Sequence, residues 1–304
     1  MPMSPENGPV VRSPTFSVIS ATRFSLVLAT VGRTSELDRF LRSLANQSYR
    51  NFELIVVDQN RDRRLDTLVA AYREQFAIHH CKSALGLSRA RNVGLASASG
   101  DVLAFPDDDC WYSEDLLEQV AGLFAAHADW DGITGRPTDR TFSRYHTVSG
   151  PVDKENVFLR STSYTIFLRR RVADQVGGFD ESLGLGTTSG RIAAEETDYL
   201  IRALATGHKI FYSADLSVFH PEPTRLYDDK FNQKAYGYNL ALGYVLRKHR
   251  YPVWYVARTW LRAAGGAGLA MLTLKWLKVR YHYHVLRGRV GGWLGSPPLD
   301  THSQ

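Results

Sequence analysis

Cysteine is almost missing from this 304-residue chain, which carries only Cys81 and Cys110. Two such residues build neither a disulfide framework nor a tetrahedral zinc centre, and the scarcity suits a reducing compartment. Long apolar runs are missing as well. The longest, Ala263 to Leu274, holds 12 residues between Arg262 and Lys275, short of the roughly 20 that a helix needs to cross a bilayer. The first strand-like run is followed by ATVGRTSE, whose single glycine argues against a glycine-rich phosphate loop. Residues 1–23 have no apolar core and place Pro2, Pro5, Pro9 and Pro14 among polar neighbours, so they read as a flexible leader rather than a signal peptide or anchor.

Acidic residues are scarce in one part of the chain. The formal net charge is +6, yet Arg225 to Val290 alone hold 13 Lys/Arg and 2 Asp/Glu, leaving 24 Lys/Arg against 29 Asp/Glu elsewhere. The chain is therefore a mildly acidic body with a basic tail. Trp254, Tyr255, Trp260, Trp276, Tyr283 and Trp293 are interleaved with those bases. Such a composition suits the headgroup region of an anionic membrane and also single-stranded nucleic acid. We expect the tail to lie on a membrane surface, and no nucleic-acid partner. The competing reading is that its aromatic faces fold back onto the body.

A hydrophobic content of 44% is ordinary for a globular chain, and from Phe24 onward it is organised by strand and helix in turn. FSLVLAT (24–30) and FELIVVD (52–58) read as buried strands, with helices marked by Leu37, Phe40, Leu41 and Leu44, by Leu65 to Phe76, and from Ser88 to Ala98. That alternation predicts βαβ units and a mainly parallel sheet covered by helices. The most informative stretch is SGDVLAFPDDDCWY (99–112), a buried third strand stopped at Pro106, which cannot donate to a ladder. Beyond it stand Asp107, Asp108 and Asp109. Three adjacent carboxylates repel one another, and at a strand end they call for a cation; Asp107 and Asp109 can face one divalent ion or one ion-bound phosphate. Hard oxygen ligands favour Mn²⁺ or Mg²⁺. The alternative is a solvated turn with one acid capping the next helix, although Ser113, Glu114 and Asp115 already supply that start.

Other strand ends carry polar chemistry too. Thr30, Arg33 and Asp58 fall on the rim that Asp107–Asp109 would line, and Arg89, Arg91 and Asn92 precede the third strand. An acid such as Asp58 at the second strand end commonly accepts from a ribose or base; alone it could equally be a turn acid. Arg89 and Arg91 could answer diphosphate charge, but at i and i+2 they do not share a helix face, so at most one does. The passage GGFDESLGLGTTSGR (177–191) is either an acceptor loop or a connector, and 160–169 reads as a strand.

The ordered landmarks FSLVLATVGR, LxxFLxSLxxQSYxNFELIVVDQN, LGLSRARNVGL, SGDVLAFPDDDCWY, GGFDESLG and EETDYLIRALATGHKIFYSADLSVFHPEP resemble those of bacterial-type family 2 glycosyltransferases. The resemblance runs from about Phe24 to Pro223. It implies the α/β GT-A fold of nucleotide-diphospho-sugar transferases over 24–224, with a basic, helical C-terminal extension over 225–304. It also implies inverting transfer of a sugar to an acceptor hydroxyl in cell-surface polysaccharide or glycolipid assembly. By it, Asp107 and Asp109 form a metal and diphosphate site, joined by His220, which some relatives place on the metal. Thr30, Arg33, Asp58, Arg89, Asn92, Asp107 and Asp108 line the nucleotide. The catalytic base falls in Glu195-Glu196-Thr197-Asp198, where the family commonly shows Glu-Asp before x-Asp; Glu196 occupies the position of the base and Glu195 is its alternative. The expected partners are a nucleotide-sugar donor, a glycan or lipid-linked acceptor and an anionic membrane surface at the cytoplasmic face of the plasma membrane. The rivals are a sugar-phosphate nucleotidyltransferase, disfavoured by the glycine-poor ATVGRTSE, and a catalytically silent nucleotide-sugar binder or membrane scaffold.

Overall fold

The computed structural model describes residues 22–138, 147–221 and 227–295. Most of the expected leader, and the expected boundary near residue 224, lie outside the described residues. The sheet begins with β1 (Phe24–Thr30) and β2 (Phe52–Asp58), which run parallel with Thr30 level with Asp58. Every residue of β2 is buried, because side chains alternate between two cores on opposite faces. Leu26, Leu28, Leu54 and Val56 enter one, Val27, Ile55 and Val57 the other. Helix α1 (Ser35–Ala45) covers the first face with Leu37, Phe40, Leu41 and Leu44, the stripe expected from their spacing.

Between α2 (Asp66–Ala70) and α3 (Leu87–Ser97) lies a strand that the sequence pattern concealed, β3 (Ala77–Lys82). Its AIHHCK has no apolar run because it is an edge strand, paired only to β2 and half exposed. The helix expected from Leu65 to Phe76 is accordingly short, its last residues going into turns that lead to β3. The buried strand before the acidic cluster is β4 (Val102–Ala104), followed by α4 (Leu116–Ala126) and β5 (Gly132–Pro137). Then come β6 (Gly150–Pro151), α5 (Val157–Arg160), β7 (Ile166–Arg169), α6 (Arg170–Val176), α7 (Glu195–Ala205) and β8 (Ile210–Val218). The eight strands form one sheet in the order β3-β2-β1-β4-β7-β5-β8-β6. The half containing β1 to β4 is parallel, as expected; β7 inserts antiparallel between β4 and β5. Only 166–169 of the expected 160–169 strand is extended, since α5 and a 3₁₀ turn occupy most of the remainder.

Strand order reverses at β1 and β4, so the carboxyl ends of β1, β2 and β4 open onto the crevice where such sheets place ligands. The C-terminal part is helical: α8 (Asp229–Lys248), α9 (Val253–Leu272) and α10 (Trp276–Leu294). α8 and α10 approach to backbone contact through glycine. A Cβ on Gly288 would stand 2.6 Å from the Tyr236 carbonyl oxygen, and one on Gly292 would meet the Leu240 carbonyl. Much of the tail folds back as the competing reading held: Tyr236, Tyr251 and Val256 are buried, and Tyr251 Oη donates to the Lys154 carbonyl.

Two glycine substitutions separate helix propensity from packing. Gly122→Ala, within α4 and with nothing within 4 Å of its new methyl, should stabilise by about 0.5–1 kcal/mol. Gly288→Ala gains the same propensity but forces α8 and α10 apart, and should destabilise by about 1–3 kcal/mol. Urea unfolding midpoints at unchanged m-value measure both.

Candidate active site

Past Phe105 the chain turns at Asp107–Asp109, and a lone parallel bridge from Ala29 to Asp107 fixes the turn against β1. The three carboxylates point different ways. Asp108 is buried, accepting from Thr30 Oγ1 at 2.7 Å and from Arg33. Asp107 and Asp109 converge with His220, one ligand atom from each lying within 4.8 Å of the others. His220 Nε2 stands 3.1 Å from Asp109 Oδ1, and its ring is stacked on Tyr164 at 4.8 Å between centroids. A second bridge, Trp111 to Phe219, brings the end of β8 to this turn and so delivers the histidine. Arg33, with 43% of its side chain exposed, pairs with both Asp108 and Asp109.

Arg91 lies behind this cluster and is 1% exposed. Its guanidinium donates to Asp107 Oδ1 at 3.1 Å and to Glu195 Oε1 at 2.8 Å, over the ring of Phe179. Ser163 Oγ supplies Asp107 with a further donor at 3.2 Å. Glu195 Oε2 is buried with no hydrogen-bond partner among the described residues. Glu196 retains some exposure and lines a small cavity with Arg91, Phe105, Ile166, Phe179 and Tyr199. Burial and the adjacent Glu195 charge push the Glu196 carboxyl well above the usual carboxylate range. Burial likewise raises Asp107 to about 6 against the pull of Arg91. Asp109 goes the other way, because the hydrogen bond and charge of His220 and the charge of Arg33 outweigh its burial.

Five carboxylates thus meet two guanidinium groups and one imidazole in a partly desolvated space. Two carboxylate ligands and an imidazole fit a hard divalent ion such as Mn²⁺ or Mg²⁺.

Some expected residues are elsewhere. Asp58 is fully buried beneath the rim, where Asn60 N and Nδ2, Lys82 Nζ and His80 satisfy its carboxylate. These partners outweigh burial and hold its pKa low. It organises residues 59–62 rather than presenting an open oxygen. Arg89 is turned outward onto Glu181, and Asn92 holds the Phe179 backbone through Nδ2 and Oδ1. Neither joins the cluster. Of the two arginines spaced at i and i+2, Arg91 is the inward one, a choice that spacing alone left open. Lys82 was missed with β3, though its ladder position beside Asp58 was the signal. Ser163 carried none. Asp198 is also buried and serves packing, bound by Arg202, Lys248 and His249.

Comparison with known proteins identifies the family and the fold. The model of the family described as glycosyl transferase family 2 matches residues 25–179, from β1 to just past α6. The chain belongs to that family. As a family 2 glycosyltransferase it is 25% identical over 228 residues to an uncharacterized glycosyltransferase of Haemophilus influenzae, covering 70% of this chain and 74% of the relative. It is 28% identical over 233 residues to the pre-mycofactocin glycosyltransferase of Mycobacterium tuberculosis, spanning 70% of this chain but 46% of that protein. Its fold is that of GT-A glycosyltransferases of known structure. S. aureus TarS 1–349 superimposes with a TM-score of 0.59 at 16% identity, over 90% of this chain and 92% of the other. The mannosyltransferase PcManGT from Pyrobaculum calidifontis, solved in complex with GDP-Man and Mn²⁺, gives 0.61 at 15% identity over 94% and 90%.

Removing the bridging guanidinium tests how much this glycosyltransferase depends on it. Arg91→Met should destabilise the fold by about 3–5 kcal/mol, because the buried Glu195 carboxylate and the partly buried Asp107 lose their common partner. Chemical denaturation measures the loss.

Proposed function

We propose that the chain transfers a sugar, with inversion at the anomeric carbon, from a nucleotide-diphosphate donor to an acceptor hydroxyl in the assembly of a surface polysaccharide or glycolipid. The observation that carries this reading is the convergence of Asp107, Asp109 and His220 on one side of the buried Arg91 and of Glu195 and Glu196 on the other. Residues 24–224 would form the catalytic unit and 225–304 its extension. Mn²⁺ or Mg²⁺ held by Asp107, Asp109 and His220 would supply Lewis-acid neutralisation of the leaving diphosphate. PcManGT, which holds GDP-Man with Mn²⁺, supports that pairing of donor and ion.

The chain's own side chains do the rest. Arg33 is exposed enough to answer phosphate charge from above the acidic turn, while Thr30 and Asp108 hold it in place. Glu196 takes the acceptor proton. A hydroxyl is a weak nucleophile until a base removes its proton, and a carboxylate whose proton affinity is raised by burial is the better base. Glu195, pinned by Arg91, positions that pair and limits the approach to one side. Asp198 is set aside as base because its carboxylate is engaged by Arg202, Lys248 and the imidazole of His249. Asp58 would act on the nucleotide through Asn60 and Lys82, which it orients.

Two substitutions test the reading. Without Mn²⁺, or in Asp109→Ala, thermal stabilisation by UDP, GDP or dTDP should vanish. In the wild type with Mn²⁺, a nucleotide at 100 times its Kd should add about 2.7 kcal/mol. Retained Mn²⁺-dependent stabilisation in the mutant would dismiss the metal assignment.

Glu196→Gln should keep donor binding and lose turnover by about 10²- to 10⁴-fold. A near-normal rate would transfer the base to Glu195, which Glu195→Gln would then reveal. The same substitution has a pH signature. The folded chain retains a Glu196 proton that the unfolded chain releases from its ordinary value of 4.5 upward, so this group's contribution is full below that pH and is lost as pH rises toward the folded value. The melting temperature of Glu196→Gln should therefore gain on that of the wild type progressively as pH rises above about 4.5, where the unfolded chain loses the proton that the folded chain keeps.

A further inference from the structure

We propose that the far end of the α9–α10 hairpin seats in the headgroup layer of an anionic lipid membrane and holds the protein at that surface. This is narrower than the sequence reading, which assigned the surface role to the basic tail as a whole. The structure divides that stretch. Tyr251, Val256, Ala263, Ala270 and Val285 are buried. The turn between the helices is bare: every residue from Met271 to Lys278 is exposed, and Leu272, Leu274, Trp276 and Leu277 stand 85%, 74%, 64% and 62% open to solvent. Leu269 and Met271 extend the same apolar tip. Large apolar side chains gathered in this way on a described surface mark a contact rather than scattered exposure.

The turn itself points the same way. Leu274 has φ 54°, the left-handed conformation in which Lys275 N reaches back to the Ala270 carbonyl at 2.8 Å and closes α9. Glycine is the usual residue there, since any side chain is strained. A leucine adds strain and an exposed apolar group together, and neither serves the folding of the isolated chain. Burial of the side chain in lipid offsets both.

Charge identifies the occupant. Val253 to Leu294 contain seven Lys/Arg and no Asp or Glu. Arg280 is paired with Asp229 and Arg289 is bonded inside the helical layer to Asn239, but Lys275 and Lys278 are exposed at the tip. An apolar tip that carries bases complements anionic headgroups over acyl chains. Among the described residues no helix is long and apolar enough to cross a membrane, so the contact is with one leaflet.

Flotation of the full chain with phosphatidylcholine–phosphatidylglycerol vesicles tests the proposal without reference to turnover, so its failure leaves the catalytic reading untouched. The wild type should float with the mixed vesicles and be released by salt. Leu272→Glu with Leu277→Glu, and separately Lys275→Glu with Lys278→Glu, should each weaken binding by at least about tenfold while circular dichroism stays unchanged. Trp276→Phe should remove most of the blue shift in tryptophan emission on adding vesicles. Undiminished flotation of both double variants overturns the proposal. So does a wild type that ignores vesicles yet sediments as a dimer dissociated by Leu272→Glu with Leu277→Glu, since the tip would then meet a second copy.

Discussion

The guanidinium of Arg91, almost without solvent contact, lies between Asp107 on the sheet rim and Glu195 at the start of α7. A cation in that position has to be fully paired, since an isolated buried charge is prohibitively unstable. Its two partners come from segments 88 residues apart in sequence, so their geometry is set by where α3, β4 and α7 pack. The ion pair therefore ties the order of the sheet to the spacing of the acidic groups. Ser163, from the turn before β7, and Phe179, above the guanidinium, complete the enclosure.

The pairing is incomplete by design of the charges present. Asp107, Asp108, Asp109, Glu195 and Glu196 outnumber Arg33 and Arg91, and burial, with the neighbouring carboxylates adding to it, raises the carboxyls of Asp107 and Glu196. Protons relieve such an excess at low pH; a divalent ion relieves it at neutral pH and leaves the carboxylates ionised. His220 is drawn into the same cluster by β8, and with Arg33 it keeps Asp109 ionised against its burial. One set of side chains thus carries both the electrostatic instability and the donors that suit an ion.

A second ionic knot connects the C-terminal helices to this region. Asp198 is the third residue after Glu195 on α7, and its buried carboxylate receives Lys248 and His249 from the end of α8 together with Arg202 from its own helix. Lys248 also reaches Asp180, whose pKa the bond holds low against its burial. The helix that presents Glu195 and Glu196 is consequently braced by the basic tail. The tail's inner face is structural, and the turn at Met271–Lys278 is exposed throughout.

Much of this was legible in the residues. The alternation of FSLVLAT, FELIVVD and VLAF with amphipathic segments determined a helix-covered, largely parallel sheet, because each pattern buries its apolar side in one way only. Pro106 and the three aspartates marked the acidic rim, since a buried strand that stops at proline leaves the charges after it at the edge of the sheet. Tertiary structure alone decided the rest. β3 was hidden because an edge strand needs no apolar run. Arg91, rather than Arg89, turned inward because α3's orientation on the sheet selects its face. Asp58 went beneath the rim because β3 brought Lys82 and His80 beside it. The tail's aromatics divided between buried Tyr236 and Tyr251 and exposed Trp254, Trp276 and Tyr283 because the packing of the three helices leaves one face of each outward. Local patterns specify which face of an element is apolar; which polar group meets which depends on contacts between segments far apart in the chain, and only the packed fold fixes those.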